Sequence, residues 1–458
     1  MEAIVYGKKF KKDQFPKIIT CPHEMVALLI ADRFTRLTGK PQAVIVHVNV
    51  GTQALGCVVH NTSAAYCPYM HWLQDAKKQR QIIRTRKNIK QMISRAMQPV
   101  YLTAGREKAI SPTALLENGV EMIATLLVHA QRPLIIVGHS GRDHQALPAL
   151  VDLVDMMPGL RVLDCLGSDV SFSFTHPAFL GLGIGAHKAI PTADFILVVH
   201  AAVPWIPYIN ASKTYRTDTT TAFRQLQSYI ASNKGFTPIL ASAEYLNRGA
   251  ATKNAYHKRL AALALAATDL KNLLALINSY YLGRCLHTPG HLVNCSAGGL
   301  GWSGGATLGV KLASDYLIDG NSKGKFICEI VGNRTYIFDA PETVYWIARQ
   351  YYLATLTIVL SNNKWNVSRN SLELVYPAGL ELQVNNLNLN ISFSPTPDYA
   401  GIAKAAAGHH AWAGVAGNTE QFEQLLPQAV ESMKKGVLTV LKIRLSKSWQ
   451  AAELVSQL

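Results

Sequence analysis

Four clusters in the 458-residue chain combine residue types and spacing that could carry chemistry. Glu24, within Pro22-His23-Glu24-Met25-Val26-Ala27, stands where a helix opens. A carboxylate there complements the positive end of the helix dipole; on spacing alone a functional acid is supported as well. The run Gly298-Gly299-Leu300-Gly301-Trp302-Ser303-Gly304-Gly305-Ala306 leads into another helix. Missing side chains let a ligand approach the backbone, although glycine-rich turns are common and weak evidence alone. Ile330-Val331-Gly332-Asn333-Arg334-Thr335 reads as a strand end followed by a turn, and Ser361-Asn362-Asn363-Lys364-Trp365-Asn366 as a second one. His47 lies inside an apolar run, where a histidine satisfied within a strand is the simpler reading. The seven cysteines are scattered, and no pair has the close spacing of a zinc or redox motif.

Positioning these residues requires strands that alternate with helices. Short apolar runs rich in β-branched residues recur at Ala43 to Val50, Leu134 to Val137, Phe195 to Val199, Phe326 to Val331, Leu356 to Leu360 and Val437 to Leu445. Such continuous runs belong to parallel strands covered on both faces. Helical spacing fills the intervals: Glu342 to Tyr352 places Val344, Ile347, Ala348 and Tyr351 on one face, and the helix opening at Glu24 stops at Gly39. The fold class expected is α/β, with three doubly wound parallel-sheet domains. Their bounds are 1–111, 112–232 and 280–458, with an Ala- and Leu-rich helical linker over 233–279.

Composition narrows the class of function. Hydrophobic residues make up 49% of the chain, enough for large cores, yet no apolar run reaches the ~18 residues of a membrane span. The first residues, Met1 to Pro16, lack the apolar core of a secretory signal, so a cytoplasmic location is expected. The net charge of +16 favours polyanions. Its densest stretch, with Lys78, Arg80, Arg84, Arg86 and Lys87, lacks interleaved aromatics and matches no nucleic-acid fold signature. A solvated helix face explains it better than nucleic acid does.

The Glu24 segment continues into Arg33-Phe-Thr-Arg-Leu-Thr-Gly-Lys-Pro41 and then Val50-Gly51-Thr52-Gln53-Ala54-Leu55-Gly56. This closely resembles the pyrimidine-binding domain of thiamine-diphosphate enzymes. His71-Trp-Leu-Gln-Asp75 and the Val50 to Leu55 run look specifically like fungal acetolactate-synthase-like proteins. Arg132-Pro-Leu-Ile-Ile-Val-Gly138 and Val203-Pro-Trp-Ile-Pro207 are similar to the middle domain of that family. Gly332 to Thr335, Pro341 to Arg349 and Asn362 to Asn363 follow the layout of its diphosphate-binding domain. The resemblance implies a carboligase or decarboxylase acting on 2-oxo acids, with thiamine diphosphate and Mg²⁺ as cofactors. It implies that Glu24 hydrogen-bonds N1′ of the aminopyrimidine, favouring the tautomer whose 4′ nitrogen takes the thiazolium C2 proton. Gly298 would meet the pyrimidine edge through its backbone, and Leu300 would prop the cofactor into its bent form. His47 lies near the place where some decarboxylase relatives keep a pocket histidine. Gly332 and Arg334 would lie at the diphosphate; Asn333, Asn363 and the carbonyl of Trp365 would stand at the metal. A homodimer or tetramer with its site at a subunit interface is implied as well.

Two departures from the pattern stand out. The position of the metal-binding aspartate is Asn333, and the glycine after it is Arg334. An amide in place of a carboxylate removes a full charge from the ligand shell of Mg²⁺. The arginine either blocks the pocket or pairs directly with the diphosphate and partly replaces the ion. The second departure is architectural. The opening strand and helix ahead of Phe15 have no counterpart, and strands are expected to be missing near Pro68 to His71, Asn210 to Thr214 and Leu282 to Pro289. Each unpaired backbone group buried by such a loss costs about 1–3 kcal/mol, so a non-catalytic remnant or partner subunit of the same fold is the competing expectation.

Overall fold

The computed structural model describes residues 2–38, 40, 42–46, 50–64, 113–165, 169–182, 187–201, 215, 217–266, 290–295, 299–317, 324–365, 368–369, 376 and 378–445. In chain order, helices α1 (Glu2–Lys11), α2 (Glu24–Thr38), α3 (Val50–Ala54) and α4 (Gly56–Ala64) come first. The middle of the chain forms α5 (Glu117–His129), β1 (Pro133–Val137), α6 (Ala146–Asp155), β2 (Arg161–Asp164), β3 (Phe179–Leu182), α7 (Ala189–Thr192), β4 (Phe195–Val199), α8 (Thr219–Ser232), α9 (Phe236–Leu240) and α10 (Ala243–Ala266). Then follow α11 (Ser303–Leu317), β5 (Cys328–Gly332), α12 (Asn333–Phe338), α13 (Pro341–Gln350), β6 (Leu356–Ser361), α14 (Tyr399–Ala406), β7 (Ala411–Ala416), α15 (Thr419–Lys434) and β8 (Leu438–Arg444). The chain divides into two units, one made of 1–63 with 299–444 and the other of 64–298 with 445–458.

The second of these units is built on a parallel sheet in the order β3-β2-β1-β4. All of β1 is buried, as a central parallel strand must be. Alternate residues go to opposite faces: Ile135 and Val137 join Leu127, Leu150, Leu153 and Phe223, whereas Leu134 and Ile136 join Leu163 and Ala189. The sheet is thus covered on both sides. Helix α8 starts at Asp218, whose carboxylate accepts a hydrogen bond from the Thr221 N–H and so satisfies one of the free donors of the first turn.

The other unit carries a parallel sheet in the order β5-β6-β8-β7. Strands β6 and β8 are its buried centre. Against this unit's α11 lies α2, which buries Val26, Leu29, Ile30 and Arg33. The crossing is close because α11 offers glycines. A Cβ at Gly309 would stand 2.5 Å from the Ile30 carbonyl oxygen, and one at Gly305 would stand 2.8 Å from Leu29 Cβ. Arg33, buried here, lies over the Trp302 ring at 4.4 Å, and Asp32 receives Arg36 at 2.9 Å.

The α/β class with parallel sheets holds, and among the described residues the strands gather into two sheets. The strand expected at 43–50 is not formed among the described residues of that segment. Residues 42–46 are irregular, Val50 opens α3, and Ile45 is 90% exposed. An apolar run becomes a strand only when another strand takes up its backbone groups, and among the described residues of this segment only helices form. A helix, α1, does precede Phe15. The gaps expected near 68–71, 210–214 and 282–289 lie outside the described residues, as does the basic stretch over 77–90.

Candidate functional site

Glu24 is the first residue of α2, and the ring of His23 accepts a hydrogen bond from the Met25 N–H at 3.1 Å. The Glu24 carboxylate is half-buried and turns toward α3, where a Cβ on Gly51 would come within 2.9 Å of Oε1 and 3.1 Å of Val46 Cβ. A side chain at 51 would push against the acid and Val46. The next side chain, Met25, points about 100° further round the helix, and its Cε lies 3.2 Å from where a Cβ on Gly301 would stand. Gly301 has φ +75°, and a side chain there would also meet the Phe338 carbonyl at 2.8 Å, so glycine is required on both counts. The start of α2 and the glycine–leucine–glycine turn are therefore neighbours within one unit, although 277 residues separate Glu24 from Gly301. Helix α4 seals the same turn. Asn61 receives the Gly299 N–H at 3.0 Å and donates to the Gly299 carbonyl at 3.4 Å, while the Cys57 thiol donates to the Leu300 carbonyl at 3.2 Å. Leu300 itself is half-buried. His47 and Gly298 lie outside the described residues.

A second group forms at the carboxyl ends of β5 and β6, which run side by side with Gly332 paired to Leu360. Ligands of open α/β sheets bind at such strand ends. A Cβ on Gly332 would meet nothing within 4 Å, so the backbone there borders open space. Asn333 is 5% exposed, and its side-chain amide lies against the Tyr399 hydroxyl. Arg334 is exposed and lies over the Trp365 ring at 4.8 Å. Trp365 also meets Phe393 edge-on, and its backbone N–H donates to Ile391. Asn363 adopts a left-handed conformation (φ +57°). Its side-chain oxygen accepts from Thr396 at 2.7 Å, and its carbonyl accepts from Phe393 at 3.0 Å.

This donor set does not fit Mg²⁺. The ion takes charged oxygen ligands at near-octahedral geometry. Here the first candidate ligand is a neutral, buried amide set against the Tyr399 hydroxyl, and the second already has both its oxygens hydrogen-bonded. No group of three or more His, Cys, Asp or Glu side chains that could hold a metal occurs among the described residues.

Sequence reasoning missed a buried acid pair behind these strand ends. Glu329 in β5 accepts from the Thr357 hydroxyl at 2.9 Å. Asp339, after α12, accepts from the Ser303 hydroxyl at 2.7 Å and the Gly304 N–H at 3.0 Å. The other oxygen of each carboxyl, Glu329 Oε1 and Asp339 Oδ1, has no donor. Burial pushes both carboxyls up from the ordinary carboxylate range, and the Glu329 charge pushes Asp339 further. One signal was available: Glu329 interrupts the apolar run Phe326 to Val331.

Comparisons with known proteins extend this picture. The family described as thiamine pyrophosphate enzyme, N-terminal TPP binding domain, matches residues 5–92. By sequence, no curated protein matches the chain. In three dimensions the chain is similar to benzoylformate decarboxylase from Polynucleobacter necessarius, at a TM-score of 0.69 and 15% identity over 97% of this chain and 94% of that one. It is also similar to the thiamine-diphosphate-dependent 4-hydroxybenzoylformate decarboxylase of Rhodococcus jostii, at a TM-score of 0.59 and 15% identity over 96% and 95%. The chain thus has the α/β fold of these thiamine-diphosphate-dependent enzymes, and its residues 5–92 match the N-terminal TPP binding domain of thiamine pyrophosphate enzymes.

Proposed function

We propose that the chain binds thiamine diphosphate and acts on a 2-oxo acid, as a decarboxylase or as a carboligase of the acetolactate synthase type. One observation carries the reading: the acid that opens α2 lies within the matched segment 5–92, and the residue after it touches the turn at Gly301. When bound, the cofactor supplies an electron sink for the carbon that remains when CO₂ leaves. The residues of this chain do the positioning. Glu24 holds its carboxylate half-buried against Gly51, where partial exclusion of water strengthens a hydrogen bond to a ring nitrogen. Leu300 offers an apolar surface beside the turn, and Gly332 leaves its backbone open for a diphosphate. No role is assigned to a metal.

The experiment is calorimetric titration of the full chain with thiamine diphosphate, followed by CO₂ release from pyruvate and benzoylformate. Binding in the micromolar range with measurable CO₂ release is expected, and absence of binding under every condition would discard the reading. A second reading is a non-catalytic member of the fold. Asn61 favours it, because its amide already occupies the polar groups of Gly299. Cofactor binding without CO₂ release or carbon–carbon bond formation would select that reading. Either one carries a homo-oligomer with it, which light scattering measures.

A further inference from the structure

The end of β5 presents a positive charge where a cation site needs acceptors. We propose that this chain grips the diphosphate of its cofactor through Arg334 and needs no divalent cation to do so. The proposal rests on the cofactor reading above.

Three features support it. First, the ligand that the local chemistry would accept is an anion. Arg334 is exposed at the end of β5 and brings five N–H donors in a fixed plane. Arg334 makes no hydrogen bond or ion pair among the described residues, so its positive charge is not already neutralised. Second, the guanidinium is positioned before any ligand arrives. Its stack on Trp365, itself held by Phe393 and by the bond to Ile391, restrains a long side chain that would otherwise lose rotamer freedom on binding. Third, there is space. Gly332 borders an opening at the end of β5, one residue from Asn333 and two from Arg334.

Calorimetric titration of the full chain tests the proposal, with thiamine diphosphate, inorganic pyrophosphate and thiamine as separate probes. Each is measured in EDTA and again with excess Mg²⁺. Thiamine diphosphate should bind in EDTA, and Mg²⁺ should change Kd by less than about threefold, well inside the tenfold of a single strong contact. Arg334→Gln should weaken both thiamine diphosphate and pyrophosphate by about ten- to a hundredfold, the reach of one or two charge-assisted hydrogen bonds. It should leave thiamine binding unchanged. Arg334→Lys, a point charge without the fork, should recover only part of the loss. The double variant Asn333→Asp with Arg334→Gly should turn binding into a Mg²⁺-dependent process. Circular dichroism confirms that each variant is folded. Binding that requires Mg²⁺ in the unaltered chain, or an Arg334→Gln variant that binds as tightly as its parent, overturns the proposal and leaves the cofactor reading standing. Metal-independent pyrophosphate binding that is lost in Arg334→Gln, with no thiamine diphosphate binding, keeps the anion grip and sinks the cofactor reading. No binding of either phosphate probe under any condition overturns both.

Discussion

At the scale of single residues, two kinds of carboxylate behave oppositely. Glu24 is half-buried with room made for it by Gly51, and its value lies in the form it presents to a ligand. Glu24→Gln keeps the shape and loses the charge. Turnover of a 2-oxo acid should fall by about 10²–10⁴-fold, the ordinary span for a lost acid–base group, while cofactor affinity by calorimetry changes far less. A variant that kept full turnover would remove Glu24 from the chemistry. Asp339 and Glu329 are fully buried, with one unmatched oxygen each and pKa values raised by burial. A carboxyl whose folded pKa exceeds its unfolded one, about 4, binds its proton more tightly when folded. Its contribution to stability is therefore whole below about pH 4 and is lost as pH rises through the raised value. Asp339→Asn keeps an acceptor for Ser303 and Gly304 yet cannot ionise. Between about pH 5 and 8, Tm should fall with rising pH in the parent and fall less in the variant. Equal slopes would refute the role of the acid.

At the scale of elements, the site depends on the crossing of α2 with α11. The helices approach because Gly305 and Gly309 leave the backbone of α2 uncovered. Gly309→Ala would place a methyl group 2.5 Å from the Ile30 carbonyl, closer than van der Waals contact allows, and the helices must separate. Overpacking of this kind costs about 1–3 kcal/mol. A gain in helix propensity of up to about 1 kcal/mol offsets part of that. Urea denaturation should show net destabilisation, and cofactor affinity should weaken with it, because Met25 and the Gly301 turn move apart. Unchanged stability would mean that the crossing tolerates the methyl group and that the glycines have another cause.

At the scale of the whole molecule, each unit has its own parallel sheet and its own buried clusters. Units with separate cores commonly depart from two-state unfolding. Scanning calorimetry should resolve two transitions, and Gly309→Ala should lower only one of them; a single transition displaced as a whole would show the two cores to be coupled. No helix among the described residues is long and apolar enough to cross a membrane. The net charge of +16 adds general attraction for anions. Its share in cofactor binding should appear as a salt dependence that Arg334→Gln only partly removes.

The sequence by itself determined the class of fold and the positions of the strongest strands. Leu134 to Val137, Phe195 to Val199 and Leu356 to Leu360 fall within one residue of β1, β4 and β6, because β-branched runs bounded by turn residues can bury both faces. It also fixed the start of α2 at Glu24, through a local signal at the helix terminus. Strand β7, Ala411–Ala416, escaped notice because alanine and glycine carry little β signal, and its pairing with β8 supplies what the side chains do not. Only the tertiary structure decided the rest. Whether the run after residue 42 becomes a strand depends on partners that lie elsewhere in the chain, and here none of the described neighbours is a strand. Nor does local sequence tell that Asn61 reaches Gly299, that Arg334 lies over the Trp365 ring, or that Glu329 and Asp339 share a buried space. Those are contacts between residues far apart in the chain, and packing alone brings them together.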